Sequence, residues 1–288
     1  MQASGDYQLI DFGGGARLER FGARLIDRPH PGALGARRDA AAWSAADLRF
    51  DRDRGWTGPA ASDGPWPIDV DGLSFELRPT DAGQLGLFPE HLAMVPWLRD
   101  HIAARGNEQA VQGAPIPPTV LHLFAYTGLA TLALADAGAA VTHVDSARPT
   151  VAWARRNADL SSLADRPIRW IVDDALDFAE REVRRERRYD GIVLDPPSYG
   201  HGPAGQPWRL AEHLDTLLET SEALLRRDAF VLLTAHTPGF DGDRLAALLS
   251  LGRARPASGI ERGELFVECA DGRRLELGAF ARWPGGAS

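Results

Sequence analysis

The stretch Val120-Leu121-His122-Leu123-Phe124-Ala125-Tyr126-Thr127-Gly128 decides the fold. Residues 120–124 make a short apolar run of strand length. A loop follows, and residues 127–137 then read as a helix ended by Gly138. The same unit repeats downstream. Ala140–Val144 is a second strand ending at Asp145, with a helix over Pro149–Leu160. Ile168–Val172 is a third strand, with a helix over Ala175–Arg187. The strand Gly191–Leu194 ends at Asp195, a helix covers Trp208–Leu225, and Ala229–Thr234 is a fifth strand. This alternation predicts an α/β fold, a doubly wound, mostly parallel sheet with helices on both faces. Glu264–Cys269 and Arg274–Phe280 flank Ala270-Asp271-Gly272, which predicts a C-terminal antiparallel hairpin with an Asp-Gly turn.

Upstream, residues 1–80 read as a small β-rich domain. Tyr7–Phe12 is a strand, Gly13-Gly14-Gly15 a turn, and Ala16–Ile26 one or two further strands. Residues 28–66 are rich in Pro, Gly, Arg and Trp and read as loop with short elements. Asp71-Gly72 introduces the strand Phe75–Arg78. Residues 81–118 are expected to hold a loop, a helix and a linker. Gly83 and Gly86 suggest a constrained loop, Pro89 opens the helix, and Leu92, Val95, Leu98 and Ile102 recur at helical spacing. Pro96 predicts a kink or break in it. The polar, Pro-rich residues 105–118 lead to the main domain, 119–288.

The chain has 288 residues, 32 of them arginine and none lysine, with a net charge of −8. A general nucleic-acid binder is usually basic, so binding by bulk charge is disfavoured, while a local basic patch remains open. No apolar run of about 18 residues is present, which predicts no membrane span. The N-terminus lacks the basic and apolar regions of a secretory signal. The single cysteine, Cys269, allows no internal disulfide and suits a reducing cytoplasm. No His/Cys/Asp spacing suggests a metal site.

In open α/β sheets ligands bind beyond the carboxyl ends of the strands. The loop Phe124, Ala125, Tyr126, Thr127, Gly128 leads into a helix N-terminus, whose free N–H groups suit an anion such as a methionine carboxylate. The G-x-G-x-x-G pattern of a dinucleotide site is absent, which counts against NAD. Asp145, beside Ser146, stands where an acid accepts hydrogen bonds from ribose hydroxyls, in dinucleotide and S-adenosylmethionine folds alike. Asp174, beside Ala175, is the candidate acceptor for an adenine amino group, with Asp173 the neighbouring alternative. Each acid alone is equally well read as a helix N-cap. Three acids at three successive strand ends favour the cofactor reading.

Asp195-Pro196-Pro197-Ser198-Tyr199 follows the fourth strand. Prolines contribute no N–H, so their carbonyls and the Asp195 carboxylate form an acceptor-only ledge. Such a ledge suits a donor such as an exocyclic amine, and Tyr199 could stack on a planar base. The alternative is a Pro-Pro turn with Tyr199 as packing.

Together, Leu123–Gly128, Asp145, Asp174 and Asp195–Tyr199 resemble the ribosomal large-subunit RNA methyltransferases that act on cytosine or guanine, within the class I S-adenosylmethionine-dependent methyltransferases. Gly86-Leu87-Phe88-Pro89-Glu90 resembles the loop that precedes their catalytic domain. The resemblance spans about residues 70–283. It implies a Rossmann-like methyltransferase sheet and S-adenosyl-L-methionine as cofactor. It also implies a cofactor site that includes Phe88 and Asp195, and catalysis by Asp195, Pro196, Pro197 and Tyr199. The RNA-binding module at the N-terminus of the best-known members is absent from the pattern. Methylation of carbon 5 of cytosine needs a cysteine nucleophile, and Cys269 lies in the terminal hairpin, so a base nitrogen is the expected acceptor. Ribosomal RNA is the preferred partner. A small-molecule or protein acceptor and a non-catalytic binding protein are the alternatives.

Three other features carry less. Arg181, Arg184, Arg185, Arg187 and Arg188 read as a solvated helix end, or else as a phosphate grip. His201 and His236, just beyond strand ends, read as surface loop residues, with proton transfer the alternative. The eight tryptophans read as packing.

Overall fold

The computed structural model describes residues 5–109, 116–202, 205–251 and 259–285. It divides into two compact units, Met1–Leu92 with Phe266–Leu277, and Ala93–Leu265 with Gly278–Ser288.

The first unit contains β1 (Tyr7–Gly13), β2 (Ala16–Phe21), β3 (Arg24–Pro29), the short helix α1 (Ala40–Ser44), β4 (Leu48–Asp51) and β5 (Gly55–Thr57). These strands form one sheet in chain order, antiparallel except for the parallel pair β3–β4. β6 (Trp66–Val70) and β7 (Leu73–Leu77) form a separate hairpin. Asp71 and Gly72 turn it, both left-handed at φ 52° and 79°, the geometry a two-residue hairpin needs. The sequence reading finds β7 but not β6. Trp66, Ile68 and Val70 are buried and alternate with exposed Pro67 and Asp69, yet the strand sits in a stretch dominated by turn residues.

Buried charge ties this unit together. Asp11 accepts hydrogen bonds from the Trp43 indole (2.7 Å), the Arg273 guanidinium (2.6 Å) and the backbone N–H groups of Phe12, Arg38 and Asp39. Burial opposes its ionisation, but these donors hold its carboxyl well below the usual range. Glu19, fully buried, accepts from Arg28 and from the Tyr7 hydroxyl. Arg28 also reaches the Gly83 carbonyl at 3.3 Å. Gly83 and Gly86 are both left-handed, as a constrained loop requires.

The predicted helix at Pro89 is broken. Pro89–Met94 is a 3-10 turn, and α2 (Val95–Gln109) starts after it. Pro96 therefore falls in the first turn of α2, where its missing N–H costs nothing. α2 also takes in residues 105–109 of the expected linker, of which residues 110–115 lie outside the described residues.

The second unit is built on a seven-stranded sheet of β8 (Thr119–Leu123), β9 (Ala140–Asp145), β10 (Ile168–Val172), β11 (Tyr189–Leu194), β14 (Leu225–Ala235), β15 (Glu261–Glu268) and β16 (Arg274–Trp283), of which the end of β15 from Phe266 and the start of β16 to Leu277 are counted with the first unit. Their order is β10-β9-β8-β11-β14-β16-β15. The pairs from β10 to β14 are parallel, and β14–β16 is antiparallel. This is the expected doubly wound sheet with an antiparallel edge. The helices between strands are α3 (Leu129–Asp136), α4 (Arg148–Leu160), α5 (Ala175–Arg184), α6 (Leu210–Ala223) and α7 (Gly242–Ser250).

Strand side chains alternate between two cores. Leu121, Leu123, Ile192, Leu194, Val231 and Leu233 join Phe178, Leu214, Leu217 and Leu245 on one face. Val120, Val193, Phe230 and Leu232 join Trp97, Leu98, Ile102 and Leu134 on the other. Gly191 opposes Phe230 across β11 and β14, and a Cβ there would lie 2.2 Å from its ring.

Three predicted helix boundaries move. α3 begins at Leu129, not Thr127, because Phe124, Tyr126 and Gly128 are left-handed (φ 56°, 48° and 96°). α5 ends at Arg184, with Glu186 left-handed just beyond. α6 begins at Leu210, because Trp208 belongs to a small hairpin, β12 (Tyr199–His201) with β13 (Pro207–Arg209). α7 has no counterpart in the sequence reading. Among the described residues, no helix is long and apolar enough to cross a membrane.

Candidate functional site

The chain runs outward from the central strand β8 to β10, then returns to the other side of β8 at β11. The switch point therefore lies between β8 and β11, where an open sheet leaves a crevice. The loop 124–128 leaves β8 there, and Asp195–Tyr199 leaves β11.

The first loop alternates between left-handed residues, an arrangement side chains other than glycine rarely adopt. It is held from several directions. The Ala125 N–H donates to Val144 O, and the Asn157 side chain from α4 donates to Thr127 O at 2.9 Å. Asp145 receives the Tyr126 N–H (2.9 Å) and the Ala147 N–H (3.0 Å). Burial pushes its carboxyl above the ordinary range, against the pull of those two donors. Gly128 is the N-cap of α3 and brings no capping side chain, so the first-turn N–H groups have no side-chain acceptor from their own cap. Ser146 is half-buried next to Asp145.

Beneath the loop lies a buried polar bridge. His122 on β8 and His143 on β9 are paired in the ladder. Both contact the Thr131 hydroxyl of α3 through Nδ1, at 2.8 and 2.9 Å. His143 is fully buried, and burial, with His122 and Arg155 nearby, holds its pKa well below the ordinary value. Burial thus favours the neutral ring, in which Nδ1 can either donate to or accept from the Thr131 hydroxyl.

Asp174 caps α5, accepting from Leu176 and Asp177 N–H at Oδ1. The N-cap alternative raised for it is thus real for one carboxylate oxygen. Asp173 is ion-paired with Arg181. Ala175 is buried at the start of α5.

Asp195 is held by the end of β14. The Thr234 hydroxyl donates to its Oδ1 at 2.6 Å, and His236 Nε2 lies 3.3 Å from the same oxygen. His236 is therefore a neighbour of the candidate catalytic acid rather than the surface loop residue expected. Ser198 and Thr237 hydroxyls meet at 2.6 Å. The Trp208 indole donates to the Pro197 carbonyl at 2.7 Å, and its ring packs on Phe124 at 4.8 Å. The expected ledge is therefore narrower, since one of its carbonyls is engaged by Trp208. Pro196 is buried and Pro197 exposed. Sequence reasoning passed over Thr234, Thr237 and Trp208, whose signal is their position beyond or near the end of a strand bordering the switch point.

Phe88 belongs to the first unit, its ring 6.0 Å from His91. Cys269, also there, is buried, and burial pushes its thiol up to about 11, so little nucleophilic thiolate forms at neutral pH. Of the basic cluster, Arg184 and Arg185 pair with Glu180 and Glu182 of their own helix, as a solvated helix end does.

No protein-family model matches the chain. Among curated proteins it is 41% identical over 103 residues to the ribosomal RNA large subunit methyltransferase K/L of Methylococcus capsulatus, covering 35% of this chain and 14% of that protein. It is 35% identical over 174 residues to the protein of the same name from Pseudoalteromonas atlantica, covering 60% of this chain and 22% of that one. The chain thus spans less than a quarter of the length of these relatives. The crystal structure of the SAM-dependent methyltransferase from Agrobacterium tumefaciens is 35% identical, with a TM-score of 0.88 over 98% of this chain and 91% of that one. A protein from Streptococcus mutans described as a SAM-dependent methyltransferase shares the fold, with a TM-score of 0.71 at 16% identity over 97% of this chain and 76% of its own. This chain belongs to the S-adenosylmethionine-dependent methyltransferases, enzymes whose cofactor is S-adenosylmethionine.

Proposed function

We propose that this enzyme methylates a nitrogen of a base in RNA, with ribosomal RNA the preferred substrate, in the cytoplasm. The observation that carries this reading is the Asp195 carboxylate, fixed at the switch point by Thr234 and beside Pro196 and Pro197. The names of the matched relatives support the choice of RNA.

The residues at the switch point fit the cofactor. The uncapped N-terminus of α3 suits the methionine carboxylate. Asp145, with Ser146 beside it, suits the ribose hydroxyls. Asp174 suits the adenine amino group through the oxygen that does not cap α5, and Asp173, paired with Arg181, is the weaker candidate. Phe124, Ala125, Tyr126, Thr127 and Ala175 complete the proposed set.

When bound, S-adenosylmethionine supplies a methyl group on a positively charged sulfur. Asp195 accepts a hydrogen bond from the acceptor nitrogen and so turns its lone pair toward that methyl. Pro196 and Pro197 hold the segment extended. Catalysis is then positioning and electrostatics at a prearranged carboxylate. Tyr199, the fourth of the proposed catalytic residues, stands exposed at the end of the segment.

A second reading, a small-molecule or protein acceptor, is favoured by the net charge of −8. Nucleoside mass spectrometry of ribosomal RNA from a deletion strain separates the two. Loss of one N-methylated nucleoside is expected. An unchanged profile overturns the RNA reading in favour of the second.

A further inference from the structure

The small hairpin after the catalytic segment has two unlike faces. β12 is exposed, half-buried, exposed along Tyr199, Gly200 and His201. β13 is exposed, buried, exposed along Pro207, Trp208 and Arg209. Tyr199 pairs with Arg209, Gly200 with Trp208, and His201 with Pro207. Period-two alternation puts Gly200 and Trp208 on the inner face. There the Trp208 indole donates to the Pro197 carbonyl and packs on Phe124, which ties the hairpin to the Asp195 segment. The outer face carries Tyr199, His201 and Arg209. Tyr199 is 77% exposed, far more than a tyrosine with a packing role needs. Arg209 stands across from it and reaches Glu212 of α6 at 2.9 Å, in a pair exposed on both sides.

A side chain as exposed as Tyr199 does not line an enclosed base pocket. It offers a flat apolar ring to solvent, with an aromatic imidazole two residues along and a guanidinium opposite. Single-stranded RNA matches that chemistry, since its bases stack on aromatic rings and its phosphates pair with arginine.

We propose that the outer face of the β12–β13 hairpin binds the single strand flanking the target nucleotide. A neighbouring base stacks on Tyr199 or His201, and a phosphate replaces Glu212 at Arg209. This rests on the RNA reading above. The site gains an affinity for strand that the acidic chain as a whole lacks.

The test is fluorescence anisotropy of the full chain with a labelled ten-nucleotide single-stranded RNA. Calorimetry with S-adenosylmethionine runs alongside on every variant to confirm an intact second unit. Tyr199→Ala is expected to weaken RNA binding about tenfold or more, whereas Tyr199→Phe, which keeps the ring, stays within about threefold of the parent. Arg209→Ala is expected to reduce the salt slope of binding by about 0.7, the share of one phosphate on a single strand. Glu212→Gln is expected to tighten binding by freeing Arg209. If the parent binds RNA and Tyr199→Ala and Arg209→Ala bind it equally well, the hairpin inference is wrong and the RNA reading stands. If the parent binds the cofactor but no RNA at low salt, the RNA reading falls, and this inference with it.

Discussion

At the scale of single residues, the site is organised by what holds its acids. Asp145 is oriented by two backbone N–H groups, Asp195 by Thr234 and His236, and Asp174 by its own helix. All three were legible in sequence as acids at strand ends. Their holders were not, because Thr234 and His236 lie about 40 residues downstream of Asp195, and no local pattern links them. Asp195→Asn keeps the size of the side chain and removes its charge. Methyl transfer is expected to fall about a hundredfold, the scale of losing one prearranged electrostatic contact, while affinity for S-adenosylmethionine changes less than about threefold. Single-turnover kinetics with parallel calorimetry reads both. A large loss of cofactor affinity at unchanged turnover would move Asp195 from acceptor to cofactor.

At the scale of elements, local physics predicts which segments fold and neighbours decide where they stop. β6 was hidden because turn residues surround it, although its alternation was present. α3 starts late because its approach is left-handed at three positions. Trp208 reads as helix by apolar spacing, but its indole finds the Pro197 carbonyl and it ends in a strand. The β11–β14 contact offers a sharper test. Gly191→Ala would bring a Cβ against the Phe230 ring, and overpacking of this kind costs roughly 1–3 kcal/mol. Thermal unfolding is expected to shift down by several degrees. Adding Phe230→Leu should return part of the loss, as coupled neighbours do. Strictly additive losses would mean that the ring is not what Gly191 accommodates.

At the scale of the whole molecule, acid acts on both units, since burial lowers the pKa of His30 in the first and of His101 and His143 in the second. In the second unit, His143 is neutral in the fold and has a folded pKa below its unfolded value. The unfolded chain then binds more protons, so this unit loses stability as pH falls below about 6.5, the unfolded histidine value. In the first unit, Asp11 has a depressed folded pKa. Its contribution is present above about pH 4 and is lost as pH falls further toward that folded pKa. Hydrogen exchange followed from pH 7 to pH 3 is expected to show protection of the β8–β9 region declining from about pH 6.5 downward. His143→Phe should reduce that decline, and an unchanged pH profile in the variant would contradict the assignment.

The sequence alone determined the class of fold and the strand ends at which the proposed chemistry lies. Apolar runs of strand length alternating with helices force a doubly wound sheet, because each strand must be covered on both faces. Loops at the ends of those strands are where a ligand can meet backbone and acids. The tertiary structure decided which side chains meet. Strand order brings β14 beside β11, and so Thr234 and His236 to Asp195. Ladder register sets His122 beside His143 over one threonine. Pleating sorts Trp208 inward and Tyr199 outward on one small hairpin. Such contacts depend on order and register across long separations, which neither composition nor local periodicity encodes.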